Sequence, residues 1–316
     1  MLQIIKYDTN KHEALWDSFV LKSNNGTIFH LRKFLSYHKE RNFQDCSFIF
    51  QNKNNIEALF TGAIVDDVLY SHPGASFGGF IYNQLSFESG RKIVELLLEF
   101  LQKNNLKELV IVPTPFIYYN QYNEVMEYCL YIKGFNIIEY YISSFVNLES
   151  NLLNQMHNRK KRYIKNLENK IEIKLSKDLD SFYPILVSNK LKHKVKPTHT
   201  LEELKILMQK FPDKIKLLLS YQNNKIIGGA LNFITNKNSC SLFYNMIDYE
   251  YQSLQVASLQ IYASLKWAQE NNLKFLDIGV SQLYEDNKII PHESLINFKE
   301  QFGAKVMIRK VMKLKL

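Results

Sequence analysis

Two rhythms of apolar and polar residues run along this chain, and their order repeats. In the first half, an apolar run from Ile56 to Val65 and a shorter one from Val68 to Tyr70 read as strands. Phe87 to Gln102 places Ile93, Leu96, Leu97, Phe100 and Leu101 at helical spacing, so it predicts an amphipathic helix. Glu108 to Val112 is a short buried-strand pattern. Asn123 to Lys133 predicts a second helix, stopped at Gly134, and Ile137 to Leu148 a last strand.

The second half follows the same order. Ile215–Tyr221 and Lys225–Thr235 predict a hairpin around Gln222-Asn223-Asn224, and Cys240 to Asp248 a third strand. Leu254–Glu270 reads as a helix, Lys274–Val280 as a strand, and Glu293–Phe302 as a helix closed by Gly303; Val306 to Leu316 alternates to the end. At an offset of 167 residues, Gly62-Ala63 matches Gly229-Ala230 and Asn104-Asn105-Leu106-Lys107 matches Asn271-Asn272-Leu273-Lys274. Two units of β-β-β-α-β-α-β order predict an α/β protein with two mixed sheets flanked by helices, divided into residues 1–146 and 147–316. The charged segment Asn147–Asn169 reads as a connecting helix.

Composition narrows the class. With 316 residues, 46% hydrophobic and 22% charged, the chain is ordinary globular protein of two-domain length. No stretch approaches the ~20 apolar residues of a membrane span, and Met1–Lys11 has no apolar signal core. Cys46, Cys129 and Cys240 stand at no metal or redox spacing. These features predict a cytoplasmic protein. Residues 1–146 hold 13 Lys+Arg against 15 Asp+Glu, whereas residues 147–316 hold 27 against 16. The whole basic excess therefore lies in the second half, which predicts a phosphorylated or otherwise anionic partner there. Solubility is the alternative reason for such a charge.

The element order resembles the GNAT acyltransferase fold, and a duplicated pair resembles the Fem-type superfamily. Asn158-Arg-Lys-Lys-Arg-Tyr-Ile-Lys165 is similar to the basic helix opening the second unit of those proteins. Asp277-Ile-Gly-Val-Ser281 and Leu295-Ile-Asn-Phe-Lys-Glu-Gln-Phe-Gly303 resemble their closing signature, and Ser71-His-Pro-Gly-Ala-Ser-Phe-Gly-Gly79 a first-unit loop. The resemblance implies two tandem GNAT-like units and a cytoplasmic enzyme that acylates an amine without a metal; the second unit is expected to be catalytic, with the first contributing its loop to an interdomain cleft. One position departs from the pattern. Typical GNAT enzymes carry Gln/Arg-x-x-Gly-x-Gly/Ala, whose backbone N–H groups cradle the coenzyme A pyrophosphate. Here Gln252-Ser-Leu-Gln-Val-Ala257 puts Gln255 at the central glycine, where a side chain opposes close approach or a positive φ. Acyl-CoA is thus one donor, with a loaded acyl carrier protein or an aminoacyl-tRNA as the others.

Acyl transfer to an amine needs a base, donors for the oxyanion and an acid for the leaving group. His193 and His199 lie in one basic segment and suit proton transfer near neutral pH. His199 also precedes Thr200-Leu-Glu-Glu203, a capping box, and then merely orders a helix start. Ser281 and Asp277 close a strand where ligands of α/β sheets bind. No Gly-x-Ser-x-Gly is present to make Ser281 a nucleophile. Lys299 is an anion contact by the resemblance or a solvated helix residue. Arg159 and Arg162, with Lys160, Lys161 and Lys165, form either a phosphate-holding stripe or a solvated face. Gln252 and Ala257 flank the expected pyrophosphate cradle. In the first half, His72, Gly78 and Gly79 form either a ligand loop or a bent hairpin.

Three functions follow. The first is N-acylation of an amino sugar, nucleotide-linked, in surface-glycan or cell-wall synthesis. The second is an aminoacyl-tRNA-dependent transferase acting on a peptidoglycan precursor; no long helical hairpin of the kind some Fem-type enzymes carry in the second unit is present. The third is a non-catalytic binding module.

Overall fold

A computed structural model describes residues 1–38, 43–192, 194–286 and 288–316. The chain forms two compact units, Met1–Tyr141 with Ile308–Leu316, and Ile142–Met307. The first contains β1 (Leu2–Lys6), α1 (Thr9–Lys22), α2 (Arg32–Leu35), β2 (Gln44–Asp45), β3 (Phe48–Asn52), β4 (Asn55–Thr61), β5 (Ala63–Val65), β6 (Val68–Tyr70), β7 (Gly79–Tyr82), α3 (Phe87–Lys103), β8 (Glu108–Ile111) and α4 (Val125–Ile132). The chain leaves it within β9 (Asn136–Asn147). The second contains α5 (Leu152–Gln155), α6 (Asn158–Leu167), β10 (Glu172–Ser176), α7 (Leu179–Lys192), α8 (Leu201–Lys210), β11 (Ile215–Gln222), β12 (Lys225–Ile234), β13 (Ser239–Ile247), α9 (Val256–Glu270), β14 (Phe275–Val280), β15 (Gln282–Glu285), β16 (Lys288–Pro291) and α10 (Glu293–Glu300). It returns to the first unit within β17 (Lys305–Lys315), so the boundary expected at 146/147 falls inside β9 and the last strand is shared.

In the first unit, β1-β3-β4-β7 is an antiparallel sheet. A second sheet pairs β8 with β17 and, in parallel, with β6, then β5 and β2. The apolar face of α3, Ile93, Val94, Leu97 and Leu101, packs into the core with Phe48, Phe60 and Leu109. The run Ile56–Val65 is not one strand: the chain turns at Gly62, where a Cβ would lie 2.8 Å from Cys46 O.

In the second unit, β10-β11-β12-β13 is antiparallel, β14 joins β13 in parallel, and β9 closes on β14. Leu259 and Leu265 of α9 share one core with Ile164 and Leu167 of α6. Phe182 of α7 lies against Gly229 in β12.

The repeated Asn-Asn-Leu-Lys has a local cause. Asn104 and Asn271 end α3 and α9, and Asn105 and Asn272 both take φ +58, the left-handed turn that asparagine tolerates. Gly134 and Gly303 likewise end α4 and α10 at φ +88 and +78. The connecting segment expected as one helix is two. His157 interrupts it in an extended conformation, its N–H donating to Gln301 O (3.0 Å) and its ring accepting from Arg159 N–H (3.3 Å). Among the described residues no helix is long and apolar enough to cross a membrane.

Candidate functional site

Strands β13 and β14 pair only at Ser239–Ser241 with Phe275–Asp277, then part. Each has a reason to bend. In β13 the register against β12 shifts between Leu231 and Asn232, leaving Phe243 as an extra residue. In β14 the register against β9 shifts between Asp277 and Val280, where Gly279 takes φ +81. A Cβ on Gly279 would meet nothing within 4 Å, so this backbone borders open space.

Three expected site residues gather at that bulge. Asp277 is fully buried, and its carboxylate accepts from Gly279 N–H (2.8 Å) and the Ser143 hydroxyl (3.3 Å). Lys299, also buried, donates to the carbonyls of Gly279 (2.8 Å) and Val280 (3.0 Å). These two side chains fix the turn from opposite charges. Ser281 is held through its backbone, N–H to Ile142 O (2.9 Å) and C=O from His292 N–H (3.1 Å), while its buried hydroxyl has no partner.

The first turn of α9 lies against the open stretch of β13, because Asn245 Nδ2 donates to Ala257 O (3.2 Å). Gln255 precedes the helix with φ +58, ψ 33 and supplies no side-chain cap. The left-handed backbone expected of a glycine is therefore kept by a glutamine, at a cost of ~1–2 kcal/mol, a strain that clusters at functional turns. Gln252 is exposed and its carbonyl accepts from Gln255 N–H (3.1 Å).

Beneath this turn sits Lys160, 3% exposed. Its ammonium donates to Ser258 Oγ (3.0 Å) and lies over the rings of Phe298 (4.2 Å) and Phe302 (5.3 Å). Among the described residues no carboxylate pairs with it. Burial, with Arg159 nearby, pulls its pKa down to about 8. By sequence alone Lys160 is one member of a basic stripe. Its signal was position: it stands four and seven residues before the buried Ile164 and Leu167. Arg159 and Arg162 are exposed, and Arg159 Nε donates to Tyr163 Oη (3.1 Å).

Against solved structures, the chain is similar to FemX at 12% identity and TM-score 0.74, covering 99% of this chain and 97% of that one. It is also similar to the C-terminal domain of a putative lysylphosphatidylglycerol synthetase from Agrobacterium fabrum (10% identity, TM-score 0.64, 97% and 92% covered). A tandem GNAT protein from the clavulanic acid biosynthesis pathway matches at 9% identity and TM-score 0.57, covering 100% and 98%. This is a Fem-like tandem GNAT fold. No protein-family model and no curated protein matches the sequence.

Within that tandem GNAT fold, His199 belongs to a different group from Ser281. It is buried on Tyr244, Nδ1 to Oη 2.9 Å, with its ring 5.0 Å from that of Phe243. Burial pushes the Tyr244 hydroxyl up to about 12. His199 thus braces the bulge residue of β13 from the side, and Thr200 and Glu203 form the capping box read from the sequence. His193 lies outside the described residues.

In the first unit, Gly78 and Gly79 are demanded by their own chain. A Cβ on Gly78 would lie 2.5 Å from Ser71 O, and Gly79 has φ +85 with Ile111 at 2.8 Å. His72 is buried at φ +58, its Nδ1 without a partner and its pKa held down to about 4 by burial. Sequence reasoning missed its neighbours. His30 is fully buried, its pKa held at about 3 by burial and His72; Nδ1 accepts from Thr27 N–H (3.0 Å). Arg32 pairs with Asp45 and stacks on Tyr7 at 3.7 Å. The signal was three basic residues, His30, Arg32 and Lys33, inside the otherwise apolar run Ile28–Leu35, with His30 and Arg32 alternating.

Proposed function

We propose that the chain is an N-acyltransferase that moves an acyl group from a thioester donor, acyl-CoA or a loaded carrier protein, to the amine of an amino sugar. The acceptor is nucleotide-linked and belongs to surface-glycan or cell-wall synthesis. One observation carries the reading: a buried ammonium without a carboxylate, Lys160, stands beside an uncapped helix N-terminus where two strands part. Both groups are positive, and neither meets a negative charge among the described residues, so an anion is favoured beside them. The donor's phosphate end answers that need.

The acyl carbonyl then lies along the open stretch of β13, Phe243 to Met246, where backbone N–H groups stabilise the oxyanion. The acceptor amine attacks the carbonyl carbon, the C–N bond forms, the C–S bond breaks, and the proton lost from the nitrogen passes to the departing thiolate, which leaves as the free thiol. The unpartnered Ser281 hydroxyl supports contact with that amine. The Asp277 and Lys299 contacts keep the turn rigid, which holds reacting atoms in place.

A second reading, an aminoacyl-tRNA donor with a peptidoglycan precursor as acceptor, is favoured by the exposed Arg159 and Arg162 of α6. Thiol release from acetyl-CoA across a panel of amino-sugar nucleotides, with hydrolysis controls, separates the two. Release that depends on one acceptor is the expected result. No release and no coenzyme A binding, with tRNA binding that weakens steeply with salt, would overturn the thioester reading in favour of tRNA.

A further inference from the structure

The first unit holds a concave surface of its own, built from residues that the proposed transfer does not use. Two adjoining cavities, about 160 and 500 Å³, open beside α4 and share Glu124, Glu127 and Lys310. The smaller is walled by Thr114, Phe116, Tyr119 and Tyr122; the larger by Tyr128, Tyr131, Phe135 and Tyr140. Four of these tyrosines, Tyr122, Tyr128, Tyr131 and Tyr140, are more than half exposed.

This exposure is built rather than loose. Asn24 clamps the loop after β8, donating to Gln121 O and accepting from Gln121 N–H, both at 2.8 Å. Asn120 adds a bond to Ser23 O (2.9 Å). Phe116 and Tyr122 meet edge to face, 6.2 Å apart. Tyr119 is tethered to the Tyr82 hydroxyl (3.2 Å). At the centre Lys310 pairs with Glu127. Thr114 is 3% exposed, and its hydroxyl has no partner. A rigid aromatic surface loses little entropy on binding, and a pocket with a few convergent polar groups is a ligand site by form.

We propose that this groove binds an uncharged oligosaccharide, one ring in the smaller cavity and the next over Tyr128 and Tyr131. Sugar rings present C–H faces to aromatic rings and hydroxyls at their edges. The Thr114 hydroxyl, the Glu127–Lys310 pair and the tyrosine hydroxyls supply both donors and acceptors. A phosphorylated ligand fits poorly, because the shared charges are two carboxylates against one ammonium. A protein partner fits poorly too, because interface centres are depleted of charge, and here the centre is an ion pair.

The test is calorimetric titration of the full chain, without any acyl donor, with an N-acetylglucosamine tetrasaccharide and with cellotetraose. At least one should bind, with the matching monosaccharide about tenfold weaker. Tyr122→Ala, and Tyr128→Ala with Tyr131→Ala, should each weaken binding about fivefold to tenfold; these exposed positions leave the fold intact. No heat from either sugar at millimolar concentration, or equal affinity in the variants, overturns the proposal. So does sedimentation showing a dimer that the double tyrosine variant abolishes. Because no donor is present, failure here is separate from failure of the transferase reading.

Discussion

Replacing Lys160 with methionine keeps an unbranched side chain, one atom shorter, and removes its charge. Burial pulls the pKa from 10.5 to about 8, so holding the ammonium in place costs about 3 kcal/mol at about 1.4 kcal/mol per pH unit. Against this stand the stacking on Phe298 and Phe302, ~1–2 kcal/mol, and the bond to Ser258, ~1.5 kcal/mol. The two sides nearly cancel. Lys160→Met should therefore leave stability at pH 7 within about 1 kcal/mol of the parent. Anion binding should behave differently. Losing a charged hydrogen bond to phosphate costs ~1.5–3 kcal/mol, or about tenfold to a hundredfold in affinity. The sign with pH is fixed. The folded pKa lies below the unfolded one, so the parent gains stability relative to the variant as pH rises from about 8 to 10.5, and its anion affinity falls over the same rise. Scanning calorimetry with and without pyrophosphate, and titration with coenzyme A, read both quantities. Equal stabilisation of parent and variant by pyrophosphate, or of neither, would refute the reasoning. A loss of several kcal/mol in the variant would show that Lys160 serves packing alone.

The remaining predictions concern stability. His30 and His72 are buried neutral with pKa values of about 3 and 4, below the 6.5 of the unfolded chain, so their contribution is complete above pH 6.5 and is lost as pH falls toward 4. Urea unfolding should show a slope near 2.7 kcal/mol per pH unit from the pair, at about 1.4 each, and His72→Asn, which tolerates the left-handed turn, should halve it. Gly79→Ala should cost ~2–4 kcal/mol, because it adds a clash with Ile111 to a positive φ, whereas Gly279→Ala, facing open space, should cost only ~1 kcal/mol; equal losses in denaturant would contradict this. Gln255→Gly should raise stability by ~0.5–1 kcal/mol by relieving φ +58, and a loss instead would mean that the turn is not left-handed in solution.

Much of the fold was legible because its causes are local. Asn105, Asn272, Gly134 and Gly303 end helices through their own backbone preferences, and those four stops carry the repeat. The capping box at Thr200 and Glu203 spans one helical turn, so adjacent residues suffice to predict it. Elsewhere contacts beyond the local segment decide the structure. Gly62, whose C=O accepts from Cys46 N–H (2.8 Å) and where a side chain would meet Cys46 O, divides into β4 and β5 an apolar run that looked continuous. Gln301 O receives the N–H of His157 and splits the connecting helix.

The candidate site was legible as residue types and not as roles. Asp277, Ser281 and Lys299 do meet, but Asp277 and Lys299 bind the backbone of one turn. His199 braces Phe243. The sequence by itself determined the period of each element, the helix stops, the two-fold order and the basic second half, since each depends on neighbours along the chain. Only the tertiary structure decided that Lys160, rather than Arg159 or Arg162, is the buried cation, and that β13 and β14 part beside it. Burial and desolvation depend on which remote segments pack together, and no local pattern encodes them.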